Sequence, residues 1–139
     1  MAPRKTERRA RARALQALYA WDLRDGDSLP RVAGQMWDDL AVTPDVRRLA
    51  MPLLATVDAE LAAIDADLVE VTTNWRLDRL GAIERCVLRL AAAELRRGET
   101  PPKVVLQEAV TFAERFGSEQ SARFVNGVLD ALARRMGRI

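Results

Sequence analysis

The sequence contains no histidine, and Cys86 is its only cysteine. Disulfides, zinc sites built from cysteine and histidine, and serine–histidine or cysteine–histidine nucleophile pairs are therefore excluded. Cys86 lies inside an apolar helical pattern, which is typical of a small buried residue. The sequence also lacks a carboxylate pair, a glycine-rich phosphate loop and metal-ligand spacing. We therefore expect no catalytic site, no metal and no cofactor.

Several other residue types are scarce. Only 5% of the 139 residues are aromatic, and the chain has 7 glycines and 6 prolines, a composition that favours a helical protein. No run of apolar residues is long enough to span a membrane, and the first ten residues lack the hydrophobic segment of a signal peptide. We expect a cytoplasmic protein without a membrane partner.

The net charge of +2 conceals an uneven distribution of charge along the chain. Residues 1–21 contain six basic residues and one acidic residue, residues 22–78 contain five and twelve, and residues 79–139 contain eleven and seven. Such a distribution offers a basic surface to a polyanion and an acidic surface to a basic protein, although it also arises by chance.

Apolar spacing and helix-capping residues predict six or seven helices and no sheet. The first helix covers Lys5–Leu23 and ends before Gly26, and a weaker helix covers residues 29–40. Residues 43–45, Thr-Pro-Asp, predict the start of the longest helix through a capping hydroxyl, a proline in the first turn and an acid near the positive helix end.

In the longest helix, apolar residues recur every three or four positions and predict one continuous buried stripe. They are Leu54, Val57, Leu61, Ile64, Leu68, Val71 and Trp75. After a link at residues 77–81, one helix ends at Gly98, the next lies between Thr100 and Gly117, and Ser118 caps the last. We predict one helical domain over residues 1–139, with an arginine-rich, partly flexible start at residues 1–13.

The first helix has an apolar side and a cationic side at about 100° per residue. The apolar side, which we expect to pack inward, carries Ala10, Ala14, Ala17, Leu18 and Trp21, with Leu15 at its edge. The opposite side carries Lys5, Arg8, Arg9 and Arg13, continues into Gln16 and Tyr19, and has Arg4 and Arg11 at its border. We call this second side the cationic arc.

The cationic arc predicts nucleic-acid binding. A helix anchored in the core presents its arginines rigidly, which lowers the ordering cost of binding, and guanidinium groups suit phosphate. Gln16 and Tyr19 add a hydrogen-bonding group and a stacking plane, which recognition of bases in single-stranded RNA requires. A solvated helix end with Tyr19 at the core boundary is the simpler alternative. An anionic membrane surface is a further alternative, but the arc lacks a large apolar insertion face.

The final helix carries a second candidate patch, in which Phe124 lies beside Arg123 and Gly127. Phe124 lies about 100° from the middle of the buried stripe, so that it is either a core residue or a base-stacking platform. A glycine inside a helix costs roughly 1 kcal/mol relative to alanine, so Gly127 implies the close approach of a neighbouring helix or of a ligand.

Four segments together resemble the NusB family of transcription antitermination factors. In chain order they are RRARARALQALYAWD, LGAIERCVLRLAAAEL, PPKVVLQEAVTFAERFG and SARFVNGVLDALA, which together contain 61 of the 139 residues. The resemblance implies an all-helical fold of two small bundles and a protein that is not an enzyme. It also implies binding to the boxA element of ribosomal RNA leader transcripts together with the ribosomal protein NusE, in a complex with RNA polymerase and other Nus factors.

The resemblance also implies roles for particular residues. The family's arginine-rich RNA-binding segment matches Arg4, Arg8, Arg9 and Arg11, and its RNA-stacking phenylalanine matches Phe124, with Arg123 adjacent. Tyr19 and Glu84 match residues that the family places at the NusE surface. With the cationic arc, the predicted RNA-binding set is Arg4, Lys5, Arg8, Arg9, Arg11, Gln16, Arg123 and Phe124.

Two other functions remain open at this stage. One is a protein-interaction module that uses the acidic middle of the chain, or Tyr19 with Glu84, and binds RNA only incidentally. The other is the RNA-guiding domain of a ribosomal RNA cytosine methyltransferase, since a similar helical domain opens some of those enzymes. No glycine-rich cofactor-binding strand follows the last helix, so the enzyme hypothesis requires a longer protein.

Overall fold

The described part of the chain is built from helices. The computed structural model describes residues 4–24, 26–72 and 79–139, and of Arg4 it describes the backbone alone. In chain order the helices are α1 (Arg4–Asp22), α2 (Leu29–Asp39), α3 (Pro44–Val71), α4 (Ala82–Arg97), α5 (Pro102–Phe116) and α6 (Glu119–Arg135). None of these helices is both long and apolar enough to cross a membrane. No described residue lies in a β-strand, and the all-α prediction is confirmed.

Serine side chains cap two of the helices, whereas the predicted cap of α3 is absent. Ser28 and Ser118 cap α2 and α6, because each hydroxyl accepts a hydrogen bond from the backbone N–H three residues later. Thr43 precedes α3, and Pro44 occupies its first turn, but the Thr43 hydroxyl makes no capping hydrogen bond. The predicted hydroxyl cap is wrong, and the interaction of the Thr43 side chain with the Asp45 carboxylate instead lowers the pKa of Asp45.

The course of α3 differs from the prediction at its end and in its middle. The helix ends at Val71 and is interrupted at Glu60, whose φ of −118° and ψ of 22° are not helical. Trp75 and residues 77 and 78 of the predicted link lie outside the described residues. The predicted stripe is buried at Leu54, Val57, Ile64 and Leu68, whereas Leu61 and Val71 are half-buried.

The helices pack as two bundles of three. α1, α2 and α3 form the first bundle, α4, α5 and α6 form the second, and both α1 and α3 also pack on α4. The two bundles share one continuous apolar core. Its large, fully buried side chains include Trp37 and Leu18 in the first bundle and Leu88 and Leu129 in the second. The predicted arrangement of two bundles is confirmed.

Ion pairs join the end of α1 to the second bundle. Asp22 accepts hydrogen bonds from Arg85 at 2.6 Å and from Arg89 at 3.2 Å, and Arg89 also pairs with Asp65 of α3 at 2.9 Å. The hydrogen bond from Arg85 outweighs the effect of burial and lowers the pKa of Asp22. The Arg89 guanidinium also lies 5.9 Å from the centre of the Trp21 ring. These contacts hold α1 in a fixed position against α4.

Candidate nucleic-acid interface

The cationic arc of α1 lies on the surface along most of its length. Lys5, Arg8, Arg9 and Gln16 are exposed, and Arg13 is half-buried. Arg13 donates a hydrogen bond to the Gln16 side-chain oxygen at 3.0 Å, which orients the amide along the helix. The side chain of Arg4 lies outside the described residues. The arc therefore presents cations on a helix whose opposite side is packed in the core.

Arg8 is exposed but has a partner on α5. Its guanidinium donates to both carboxylate oxygens of Glu108 at 3.2 Å, and its side chain remains 65% exposed. Glu108 itself is buried. One face of the Arg8 guanidinium thus remains accessible to solvent while the carboxylate restricts its position.

Arg11, which the helical wheel places at the border of the cationic arc, is buried. Only 6% of its surface is exposed, and its guanidinium donates to Glu94 of α4 at 3.0 Å and to Glu108 at 3.3 Å. Burial alone would lower the pKa of Arg11, but the hydrogen bonds and charge of Glu94, together with the charge of Glu108, raise it above its usual value. This guanidinium is buried among carboxylates and braces α1 against the second bundle, a position that disfavours the predicted contact of Arg11 with RNA.

Phe124 is half-buried and packs against the core at the boundary of the buried stripe of α6. It lines a pocket of about 300 Å³ together with Arg79, Glu84, Ser118 and Gln120, which we call the Phe124 pocket. Arg123 is exposed beside it and makes a long contact of 3.9 Å to Glu119. The structure therefore places the ring in a position intermediate between the two alternatives that the sequence left open.

Gly127 has open space where its side chain would be. A Cβ atom built on Gly127 would meet no atom within 4 Å, and the residue is exposed. Close packing against a neighbouring helix, the commoner reason for a glycine inside a helix, is therefore not the reason here. The approach of a ligand to the backbone one turn after Arg123 remains compatible with the structure.

The two residues predicted to bind a partner lie at adjacent ends of packed helices. Tyr19 is 38% exposed near the end of α1, and Glu84 is half-buried in the first turn of α4. Glu84 accepts a hydrogen bond from the Ser121 hydroxyl of α6. Because that contact holds the start of the helix that carries Phe124, Glu84 also belongs to the surroundings of the predicted RNA site.

The sequence profile of the NusB family matches residues 8–134. A transcription antitermination protein NusB from Sorangium cellulosum is 44% identical over 140 residues, which cover 100% of this chain and 97% of the relative. A second NusB, from Anaeromyxobacter dehalogenans, is 43% identical over 134 residues, which cover 96% of this chain and 92% of that protein.

The chain belongs to the NusB family. Solved NusB structures have the same fold. The T. maritima NusB superposes with a TM-score of 0.87 at 30% identity and covers 96% of this chain and 92% of its own. A crystal structure of the antitermination factors NusB and NusE in complex with double-stranded RNA matches with a TM-score of 0.86 at 29% identity, over 94% and 98% of the two chains.

Sequence reasoning missed two surface residues of this NusB-family protein. Phe116 ends α5 with 44% of its surface exposed, and the Arg115 guanidinium lies 5.2 Å from the centre of its ring. Both line a cleft with Arg9, Arg13 and Gln16. The sequence showed the pair only as part of a helix end before Gly117, and the proximity of α1 and α5 could not be seen in it.

Among the described residues, no cluster of three or more histidine, cysteine, aspartate or glutamate side chains is arranged to hold a metal ion. Cys86 is buried, as predicted. Its burial raises the pKa of the thiol to about 12, so that the reactive thiolate form is suppressed at neutral pH.

Proposed function

We propose that this protein is a non-enzymatic, RNA-binding transcription antitermination factor. It binds single-stranded boxA-type RNA of ribosomal RNA leader transcripts together with NusE. It acts in the cytoplasm with the RNA polymerase elongation complex and other Nus factors. The observation that carries the proposal is the exposed cationic arc of α1, in a chain whose fold matches that of a NusB solved with NusE and double-stranded RNA.

The physical basis for RNA binding is rigid positive charge combined with groups that recognise bases. Lys5, Arg8 and Arg9 lie exposed on one helix, and the Arg11 brace fixes that helix, so that little order has to be gained on binding. Gln16 and Phe124 offer hydrogen bonding and stacking to bases. Those contacts require unpaired bases, and the proposal therefore specifies single-stranded RNA. We propose that residues 1–139 act as one RNA-binding domain.

The RNA part of the proposal is tested by anisotropy titrations of labelled boxA-type RNA at about 50 and about 200 mM salt. The wild-type affinity should fall steeply with salt, and the double variant Arg8→Ala/Arg9→Ala should flatten that dependence. Arg134→Ala is a matched control for Arg8, because Arg134 is 63% exposed and has one carboxylate partner, Asp130. Equal wild-type affinity at both salt concentrations would contradict the proposal.

The NusE part of the proposal is tested by capture of the protein on immobilised NusE. Tyr19→Ala and Glu84→Gln should each weaken capture, and Glu84→Gln should leave the RNA affinity of the isolated protein unchanged. Glutamine at position 84 keeps an oxygen that can accept the Ser121 hydrogen bond, so the start of α6 should remain in place. Leu23→Ala is the control. Leu23 is an apolar residue that directly follows α1 and is 64% exposed, and its backbone N–H donates a hydrogen bond to the Tyr19 carbonyl oxygen. Unchanged capture of both test variants would contradict these two assignments.

A further inference from the structure

A second cleft lies beside the cationic arc, on the side of α1 that faces the end of α5. Its volume is about 550 Å³, compared with about 300 Å³ for the Phe124 pocket. Arg9, Arg13 and Gln16 line it from α1, and Arg115 and Phe116 line it from α5. The turn between α2 and α3 closes it. We call it the α1–α5 cleft.

The charge of the α1–α5 cleft has one sign. Its described lining includes the three arginines Arg9, Arg13 and Arg115 and no carboxylate. By contrast, a neighbouring cleft of about 230 Å³, at the other edge of α1, includes Glu7 and Glu99 as well as arginines. Because opposite charges there compensate one another, the α1–α5 cleft favours an anion more strongly than this neighbouring cleft does.

Phe116 supplies the α1–α5 cleft with an aromatic surface that is held in place. Its ring stacks on the buried ring of Phe112, with centroids 6.2 Å apart and planes inclined by 10°. Arg115 lies over the Phe116 ring at 5.2 Å. A ring and a guanidinium fixed in this way offer stacking surfaces to a nucleobase with little loss of side-chain freedom on binding.

The α1–α5 cleft and the Phe124 pocket meet at the turn between α5 and α6. Phe116 lines the first, Ser118 lines the second, and only Gly117 separates them, so their Cα atoms lie within about 7 Å. The turn is tight. It leaves no room for a side chain at Gly117, where a Cβ atom would lie 2.7 Å from the Ala113 carbonyl oxygen and 2.8 Å from the Ser121 hydroxyl oxygen. A strand bound at Phe124 can therefore pass over this turn into the cleft.

We propose that the α1–α5 cleft is a second RNA subsite, in which an unpaired base stacks on the outer face of the Arg115 guanidinium, itself supported by the Phe116 ring, and Arg9 and Arg13 bind the adjacent phosphates. This inference rests on the proposed RNA-binding function and extends it to Arg13, Arg115 and Phe116, which lie outside the predicted set. The cleft holds the part of the single strand that continues beyond the Phe124 pocket. Charge complementarity and the fixed aromatic ring together identify the occupant as nucleic acid.

The test uses the full chain and two single-stranded RNAs of about 6 and about 12 nucleotides that share the boxA-type segment. Wild-type protein should bind the longer RNA more tightly. Phe116→Leu, which keeps an apolar contact to Phe112, should weaken binding of the longer RNA by about 5- to 150-fold, the range expected for loss of one stacked base. Its affinity for the shorter RNA should be unchanged.

A second variant tests the phosphate contacts independently of the ring. The double variant Arg13→Gln/Arg115→Gln should reduce the salt dependence of the affinity for the longer RNA only. Arg31→Gln is the control, because Arg31 is an exposed residue of α2 outside the α1–α5 cleft. If both cleft variants bind the longer RNA as the wild type does, the inference is overturned while the proposed function stands. If the wild type binds neither RNA, the proposed function fails, and the subsite fails with it.

Discussion

Replacing Arg11 by methionine separates its structural role from RNA binding. Arg11 and Arg8 belong to the same arginine run, and the family resemblance of the sequence predicts RNA binding for both. In the structure Arg11 is 6% exposed between Glu94 and Glu108, whereas the Arg8 side chain is 65% exposed. Arg11→Met should therefore lower the free energy of unfolding and leave the RNA contacts in place.

The magnitude follows from the carboxylates that are left behind. Glu94 is buried and its hydrogen bonds come from Arg11, while Glu108 retains Arg8. Removing one partner of a buried ion pair costs about 3–5 kcal/mol, out of about 5–15 kcal/mol for a whole domain. Arg8→Ala should cost only about 0–1 kcal/mol, because solvent screens its exposed pair.

Two measurements on the same variants check this reasoning. Urea denaturation gives the free energy of unfolding, and RNA titration at several salt concentrations gives the number of phosphate contacts. Arg8→Ala should reduce the salt slope by about 0.7, the value for one phosphate on a single strand, and Arg11→Met should leave the slope unchanged. The double variant Arg11→Met/Glu94→Met should regain most of the lost stability, because apolar residues replace the whole pair.

The opposite pattern would refute the reasoning. If Arg11→Met unfolds at the wild-type urea concentration and lowers the salt slope as Arg8→Ala does, then Arg11 is an RNA contact in solution. In that case the buried position between Glu94 and Glu108 does not describe the working state of the protein. If the double variant is no more stable than Arg11→Met, the loss does not come from the unpaired carboxylate.

Three further predictions concern backbone freedom and pH. Gly127→Ala and Gly34→Ala should each raise the free energy of unfolding by up to about 1 kcal/mol, because both helical glycines have open space for a Cβ atom. In RNA titrations, only Gly127→Ala should weaken binding. Burial raises the pKa of Cys86 from 9.0 to about 12, so the folded state holds the thiol proton more tightly than the unfolded state does. The free energy of unfolding should therefore fall by about 1.4 kcal/mol per pH unit between pH 9 and pH 12. Urea denaturation of Cys86→Val should lack that slope. The hydrogen bond from Arg85 lowers the pKa of Asp22, so the ionised carboxylate stabilises the fold at pH values above its unfolded pKa of 3.8. This contribution is lost as the pH falls through the pKa of the folded state. Asp22→Asn should therefore make the free energy of unfolding less dependent on pH in acid.

Features that depend on neighbouring residues could be predicted from the sequence. The first helix was predicted at Lys5–Leu23 and is found at Arg4–Asp22. Gly98 ends α4 with a φ of 70°, a left-handed conformation that glycine adopts without strain. These features are local, because a helix end depends on the few residues around it.

Features that depend on distant residues could not be predicted. A helical wheel places Arg11 at the border of the cationic arc, where burial and exposure are both possible. The outcome is decided by Glu94 and Glu108, which lie 83 and 97 positions away in the sequence. The exposure of Phe116 is equally non-local, since it depends on how α1 packs beside the end of α5. Side-chain roles at such boundaries require the packed structure.

The position of Glu108 connects the interior of the protein with its proposed RNA surface. This one carboxylate accepts hydrogen bonds from buried Arg11 and from exposed Arg8, which are three residues apart on the same helix. A phosphate that binds Arg8 competes with Glu108 for the guanidinium, and the carboxylate then keeps Arg11 as its partner. Since the buried pair remains satisfied in either case, RNA binding at Arg8 need not disturb the brace that holds α1. The same short arginine run can therefore stabilise the fold through Arg11 and bind phosphate through Arg8, about one helical turn away.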